Sequence, residues 1–311
     1  MQISSEDKAE RLPKNVAIVV VNYNAAELLL RCAFNSLPQA AELVIVDNAS
    51  ADGSVEALER EFGGHEKVKI LRNSSNLGFA AACNLGARAT SSEFVLFLNP
   101  DCMAAEGAVQ RLALALDSDP KAGMVGGLLL NPDGREQAGG RRAVPTPWRS
   151  LVRAFHLSVF EKRWPRLFTD FNLHKQPLPS EPVALEAISG ACVMVKRAAI
   201  DNVGPWDEAY FLHCEDLDLC MRYRMNRWRI LFVPDAKFIH YRGACSRSRP
   251  VFVEWHKHKG MMRFYDKFFR HQYPFGLMWL VTIGVWLRFC TVFIYIQTKA
   301  LFGLFWRRHE A

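Results

Sequence analysis

Along the first third of the chain, short apolar runs alternate with stretches of helical periodicity. Residues 16–21 form a continuous β-branched run, followed by Asn22-Tyr23-Asn24 and a helical stretch from 25 to about 37. A second apolar run, 43–46, closes on Asp47-Asn48-Ala49-Ser50, and a helix capped by Ser50 or Asp52 follows from 55 towards 62. Residues 68–71 predict a third strand, 80–89 a helix, 94–98 a fourth strand and about 105–116 another helix. Strands separated by helices of this length predict right-handed βαβ units and a mostly parallel sheet. Further along, 186–196 and 229–233 predict returning strands, and 236–239 is strand-like. No internal repeat or low-complexity segment interrupts the pattern.

Two segments break the alternation. Residues 139–182 are rich in Arg, Pro and aromatics without clean periodicity, and predict a long, partly helical loop. A lid, or a contact with membrane or acceptor, is slightly favoured there over a plain surface excursion. After 255 the chain is basic and aromatic, then apolar from 275 to 306, broken by Arg288 and Gln297-Thr298-Lys299 and ended by Arg307-Arg308-His309. A spanning helix needs about 20 apolar residues, and a central Arg costs roughly 2.5–3.5 kcal/mol on insertion. Basic clusters at both ends conflict with a single span and fit an in-plane amphipathic helix or shallow hairpin on anionic lipid. Burial in the core or in a homodimer interface is the competing reading; membrane attachment is favoured.

Composition narrows the partners. The 311 residues can bury a sizeable core, and a net charge of +7 with pI near 9.0 suits an acidic partner such as a nucleotide or a phospholipid surface. No recognition motif supports nucleic-acid binding. The eight cysteines include no Cys-x-x-Cys pair, which argues against zinc and for free thiols in a reducing cytoplasm. The first residues, with Glu6, Asp7 and Glu10, read as a frayed lead-in and not as a secretory signal.

Candidate chemistry sits at strand ends. Asp101 follows the run 94–98 through Asn99-Pro100, where ligands of open α/β sheets bind and where a carboxylate can hold a metal that neutralises a diphosphate. Asp47 can accept the N3–H of uracil or thymine, although an Asx-turn explains it about as well. The stretch 76–86 has the small residues that let a helix N-terminus approach an anion, with Asn84 in reach of nucleoside or sugar. Without Gly-x-Gly-x-x-Gly or a Walker Lys, dinucleotide and P-loop readings lose ground. His240 is the candidate second, neutral nitrogen ligand. In Glu215-Asp216-Leu217-Asp218, Asp218 and Arg222 stand at i,i+4 and predict a structural ion pair, which leaves Asp216 as the candidate general base.

These motifs, in this order and spacing from Val16 to His240, resemble glycosyltransferase family 2, and within it bacterial rhamnosyltransferases. The resemblance rests on Val20 to Asn24, Val46 to Ser54, Asn76 to Gly86, Leu98 to Asp101, Ser189 to Cys192 and Gly204 to Arg222. It implies the GT-A nucleotide-diphospho-sugar transferase fold, a Rossmann-like, mostly parallel α/β sheet flanked by helices, over 14–250. The donor half would cover about 14–125 and the acceptor half 126–250, followed by a membrane-associating helical segment over 251–311. It further implies Asp47 at the base and Asp101 as last acid of an Asp-x-Asp motif whose first acid is Asn99 here. His240 would lie near the metal, Mg²⁺ or Mn²⁺, and Asp216 would act as base with Glu215 beside it. Substrate contacts are expected at Asn22, Asn24, Asp47, Asn76, Gly78, Asn84, Asn99, Gly190 and Trp206.

The expected reaction is inverting transfer of L-rhamnose from dTDP-L-rhamnose to a lipid-linked glycan at the cytoplasmic face of the bacterial inner membrane, with a homodimer left open. The alternatives are a UDP-sugar donor on the same fold, or a non-catalytic nucleotide-sugar-binding membrane scaffold. A nucleotidyltransferase would need a Gly-rich, basic N-terminal loop that Asn22-Tyr23-Asn24 does not provide.

Overall fold

The computed structural model describes residues 15–241, 243 and 249–309. The expected N-terminal lead-in, the start of the catalytic domain at 14 and Cys245 lie outside them. The predicted alternation is present: β1 (Val16–Asn22), α1 (Glu27–Ser36), β2 (Glu42–Asp47), α2 (Ser54–Phe62), β3 (Val68–Arg72), α3 (Phe79–Arg88) and β4 (Phe94–Leu98). These four strands are parallel, in the order β3-β2-β1-β4. The chain winds outward from β1 to β3 and returns to the other side of β1 with β4. The order therefore reverses at β1, which opens a crevice at the carboxyl ends of β1 and β4.

Consecutive apolar residues are needed because both faces are covered. Ile18 and Val20 face a core built with α1, α2 and α4 (Ala108–Ser118), while Val19 and Val21 face a second core on the opposite side. The predicted helix at 105–116 starts later, at Ala108, because the chain leaving β5 (Cys102–Ala104) first turns, with Gly107 at φ 69° leading into the helix.

The second half completes one mixed sheet. β6 (Ala122–Leu130), which the pattern did not predict, lies between β10 (Cys192–Lys196), antiparallel to it, and β11 (Arg229–His240), parallel to it. β10 joins the halves by pairing antiparallel with β4. The two runs predicted at 229–233 and 236–239 are one strand, β11, whose register with β6 shifts between Val233 and Lys237. β8 (Val183–Leu185) and β5 pair along its other edge. The predicted strand 186–196 is in fact two: β9 (Ala187–Ile188), paired with β7 (Arg141–Arg142), and β10, separated by the turn Ser189-Gly190-Ala191.

The basic, aromatic stretch carries α5 (Pro147–Ala154) and a short helix, α6 (Pro165–Phe168). Its arginines are largely committed within the protein: Arg141 to Glu136, Arg149 to Glu186 and Arg153 to Asp170. After α7 (Arg197–Val203) and α8 (Glu215–Met225) come α9 (Pro250–Phe268) and α10 (Phe275–His309). Phe264 and Tyr265 of α9, and Met278, Val281 and Val285 of α10, belong to the second core. The opposite face of α10 leaves Trp279, Leu280, Ile283, Leu287 and Ile294 exposed. Among the described residues one helix segment, Gly276–Lys299, is long and apolar enough to cross a membrane. Its Arg288 turns to α9, with Nη1 2.8 Å from His258 Nε2.

Candidate active site

The sheet brings the singled-out residues to one edge. Register pairs Asn22 with Asp47 at the ends of β1 and β2, Leu98 with Cys192 at the end of β4, and Cys102 with His240 at the end of β11. The Asn99 N–H donates to Ala191 O at 3.0 Å, tying the turn that carries Asp101 to the turn that carries Gly190.

On the β1–β2 side, an amide and a carboxylate organise two loops. Asn22 is fully buried; its Nδ2 donates to Asp47 Oδ1, Ser50 Oγ and Ser54 Oγ, and its Oδ1 accepts from Ala25 N–H. Asn24, at φ 52°, accepts the Ala51 N–H on Oδ1. Both asparagines thus shape the crevice wall through bonds within the protein. Asp47 Oδ1 takes Asn22 Nδ2 and Ser50 Oγ, while among the described residues Oδ2 takes only the Ser50 N–H. A carboxylate has about four acceptor positions, so Oδ2 retains one. Ser50 closes this Asx-turn and is not a helix cap; Asp52 binds the Ser54 N–H at the start of α2.

The start of α3 differs from expectation. Asn76 Oδ1 accepts the Gly78 N–H, and Gly78, at φ 88°, passes so close to Phe211 that a Cβ would lie 2.7 Å from its carbonyl oxygen. That carbonyl accepts the Phe79 N–H. The close approach seen at Gly78 is thus to the protein's own backbone at Phe211. Asn84 likewise clamps Trp206, with Oδ1 on its N–H and Nδ2 on its carbonyl oxygen and on Glu208 Oε1. Trp206 is buried edge-on against Phe79 and Phe97. These contacts hold the 206–218 segment against the sheet.

Asp101 and His240 meet at the other side, His240 Nε2 3.2 Å from Asp101 Oδ1 and both side chains buried. Gln137 Nε2 donates to Asn131 Oδ1 and His240 O, so its Oε1 faces His240 Nδ1, at 2.6 Å, and Nδ1 carries a proton. A neutral imidazole then turns its Nε2 lone pair towards the carboxylate, an arrangement suited to a cation between them. Adjacent ligands of an octahedral cation with bonds of ~2.1 Å stand roughly 3.0 Å apart, close to the spacing found. Among the described residues no group of three or more His, Cys, Asp or Glu could hold a metal. The pair fits an ion that takes its remaining ligands from diphosphate and water.

Asp216 lies at the start of α8, in a setting that reads as an ionised carboxylate. Its Oδ2 accepts from Arg142 Nη2 at 2.5 Å and from Gly190 N–H at 3.0 Å, and its Oδ1 from Leu217 N–H. A side chain at Gly190 would crowd this carboxylate, since a Cβ would sit 3.0 Å from Asp216 Cβ. Burial alone would raise the Asp216 pKa, but the Arg142 charge and these hydrogen bonds outweigh it and hold the carboxyl below the usual aspartate range. Glu215 is the opposite case: burial and then the Asp216 charge push it up to about 8, which favours its protonated form. The predicted ion pair at i,i+4 is formed, Arg222 Nε to Asp218 Oδ1 at 2.6 Å, with Lys267 Nζ on Oδ2.

Comparison with known sequences agrees with this geometry. The profile described as "Glycosyl transferase family 2" matches residues 17–203. The chain belongs to glycosyl transferase family 2. The transferase is 32% identical over 251 residues to an "N-acetylglucosaminyl-diphospho-decaprenol L-rhamnosyltransferase" of Mycobacterium tuberculosis, covering 75% of this chain and 78% of the relative. Among solved structures it resembles GalNAc-T7 with UDP, GalNAc and Mn²⁺ (TM-score 0.56, 20% identity, 74% of this chain and 44% of that one). It also resembles the mannosyltransferase PcManGT of Pyrobaculum calidifontis with GDP-Man and Mn²⁺ (TM-score 0.54, 19% identity, 82% and 64%). The transferase spans less than two thirds of either solved protein, and at these identities the likeness is one of fold, the GT-A fold.

Sequence reasoning did not single out Arg142 and Gln137, the side chains that contact Asp216 and His240. Arg142 reads as one charge in a basic stretch, yet the two-residue strand β7 sends Arg141 to Glu136 and Arg142 to Asp216. Gln137 stands 103 positions from His240 and carries no local signal.

Proposed function

We propose that the transferase moves a sugar from a nucleoside-diphosphate donor, L-rhamnose from dTDP-L-rhamnose, to a lipid-linked diphosphate glycan at the cytoplasmic face of the membrane, with inversion. The observation that carries this reading is the convergence at one sheet edge of an ionised Asp216 with the Asp101–His240 pair. The acceptor class is supported by the printed activity of the mycobacterial relative. The apolar outer face of α10 supports seating at a membrane.

Asp216 takes the proton of the acceptor hydroxyl as that oxygen forms a bond to the anomeric carbon. The bond from that carbon to the donor's β-phosphate oxygen breaks on the opposite face, and the nucleoside diphosphate leaves. A single in-line displacement inverts the anomeric centre without a covalent enzyme intermediate. Asp101 and His240 would hold Mg²⁺ or Mn²⁺, which supplies positive charge to the departing diphosphate. The free acceptor position on Asp47 Oδ2 suits the N3–H of thymine or uracil. Gly190 N–H and Arg142 keep Asp216 charged and oriented between turnovers.

The test is nucleoside-diphosphate release by detergent-solubilised protein given dTDP- and UDP-sugars, a prenyl-diphosphate N-acetylglucosamine acceptor, and Mg²⁺, Mn²⁺ or EDTA. Turnover of dTDP-rhamnose that EDTA and Asp101→Ala abolish is the expected result. Preference for a UDP-sugar would overturn the donor assignment. Absence of turnover with every donor would overturn the transfer reaction.

A further inference from the structure

The turn that delivers Asp216 is strained and is braced from outside the region matched by the family profile. His213 and Cys214, both at φ 70°, are non-glycine residues in the left-handed region immediately before α8. One stripe of α9 lies along this turn and the segment leading to it. Phe252 meets the Phe211 ring edge-on and His256 lies tilted against it, with ring centroids 5.7 and 4.6 Å away. Lys257 O faces Cys214 Sγ at 3.9 Å. Arg263 binds Asp207 at 2.8 Å, and Lys267 binds both Asp207 and Asp218. At the centre is Gly260: a Cβ there would lie 2.6 Å from His213 O and 3.3 Å from Cys214 Cβ. Gly260 is buried, and the backbone of α9 passes directly over the turn.

We infer that α9 is a positioning element of the active site, in which Gly260 and Lys267 hold the 213–214 turn and the first turns of α8 so that Asp216 meets its acceptor. This inference rests on Asp216 being the base. A left-handed pair of non-glycine residues relaxes unless its surroundings over-determine it. Here the surroundings are α9 on one side and the Phe211–Phe79 backbone bond on the other. The segment after 250 therefore does more than associate with lipid: its first helix forms one wall of the catalytic turn. Displacing that wall moves the base without touching Asp47, Asp101 or His240.

The test compares Gly260→Ala, Lys267→Met, Asp216→Asn and, as a control, Gly284→Ala, where an added methyl meets nothing within 4 Å. All are made in the full chain in detergent. The inference expects Gly260→Ala to lose kcat at least tenfold, against the roughly 100-fold that an ångström of misplacement costs. Donor KM and nucleoside-diphosphate affinity should stay at wild-type values. Lys267→Met releases the same segment without added bulk, should lower kcat in the same way, and decides the matter if Gly260→Ala does not fold. Wild-type kcat in both Gly260→Ala and Lys267→Met, with Asp216→Asn inactive, would overturn the inference. Full turnover in Asp216→Asn would overturn the base assignment itself.

Discussion

Glu215 and Asp216 are adjacent carboxylates driven to opposite ionisation, and both consequences are measurable. Glu215 has a higher pKa folded than unfolded, so between its ordinary value of 4.5 and about 8 the folded state binds more protons. Stability therefore falls as pH rises through that window. Glu215→Gln removes the dependence, so thermal melts should show the variant gaining on wild type near pH 8 and not at pH 4.5. Gln137 gives a second test, because an outer partner that orients a ligating histidine is typically worth 10–100-fold in metal affinity. Gln137→Leu should weaken Mn²⁺ binding by about that factor, read by titration in the presence of nucleoside diphosphate. At this scale the motifs singled out Asp101 and Asp216 because each follows a legible strand or opens a legible helix. The asparagines were harder to assign. Asn22 and Asn84 have motif positions of ligand-binding residues, but their amides bind within the protein, a fact set by partners far along the chain.

Elements were legible where they repeat and obscure where they improvise. The four parallel strands, buried on both faces, announce themselves as apolar runs. β6 does not, because three of its nine residues are glycine. The reason is close packing: a Cβ at Gly127 would lie 2.4 Å from Ala236 O, at the irregularity of β11, and one at Gly123 would meet the Trp228 ring. That irregularity also explains why β11 reads as two strands. Gly127→Ala should lower stability by about 1–3 kcal/mol, measurable by thermal unfolding. The turn at Ser189-Gly190-Ala191 splits another predicted strand, and it does so to place Gly190 N–H on Asp216.

For the whole molecule, the C-terminal helices resolve a conflict between composition and charge. Arg288 interrupts an apolar stretch, and the structure places its guanidinium on His258, on the protein side, while the exposed apolar residues lie on the other. This arrangement is compatible with the proposed seating of the helix on lipid. Leu280→Ser, Ile283→Ser and Leu287→Ser together should release the protein from anionic vesicles in co-sedimentation, since each buried leucine or isoleucine contributes up to about 1.5–3 kcal/mol. The nucleotide half was readable from sequence because its βαβ units are local. The assembly of β10, β6 and β11, and the packing of α9 on the catalytic turn, join residues tens to hundreds of positions apart.

In the proposed mechanism Asp216, held ionised by Arg142, is the base, while Glu215, driven towards its protonated form, is not. Side-by-side turnover of Asp216→Asn and Glu215→Gln at pH 7, with a dTDP-sugar donor and a lipid-diphosphate acceptor, tests it most directly. Asp216→Asn should lose turnover by roughly 10²–10⁴-fold, and Glu215→Gln should stay near wild type. Equal losses in the two variants, or an active Asp216→Asn, would contradict it.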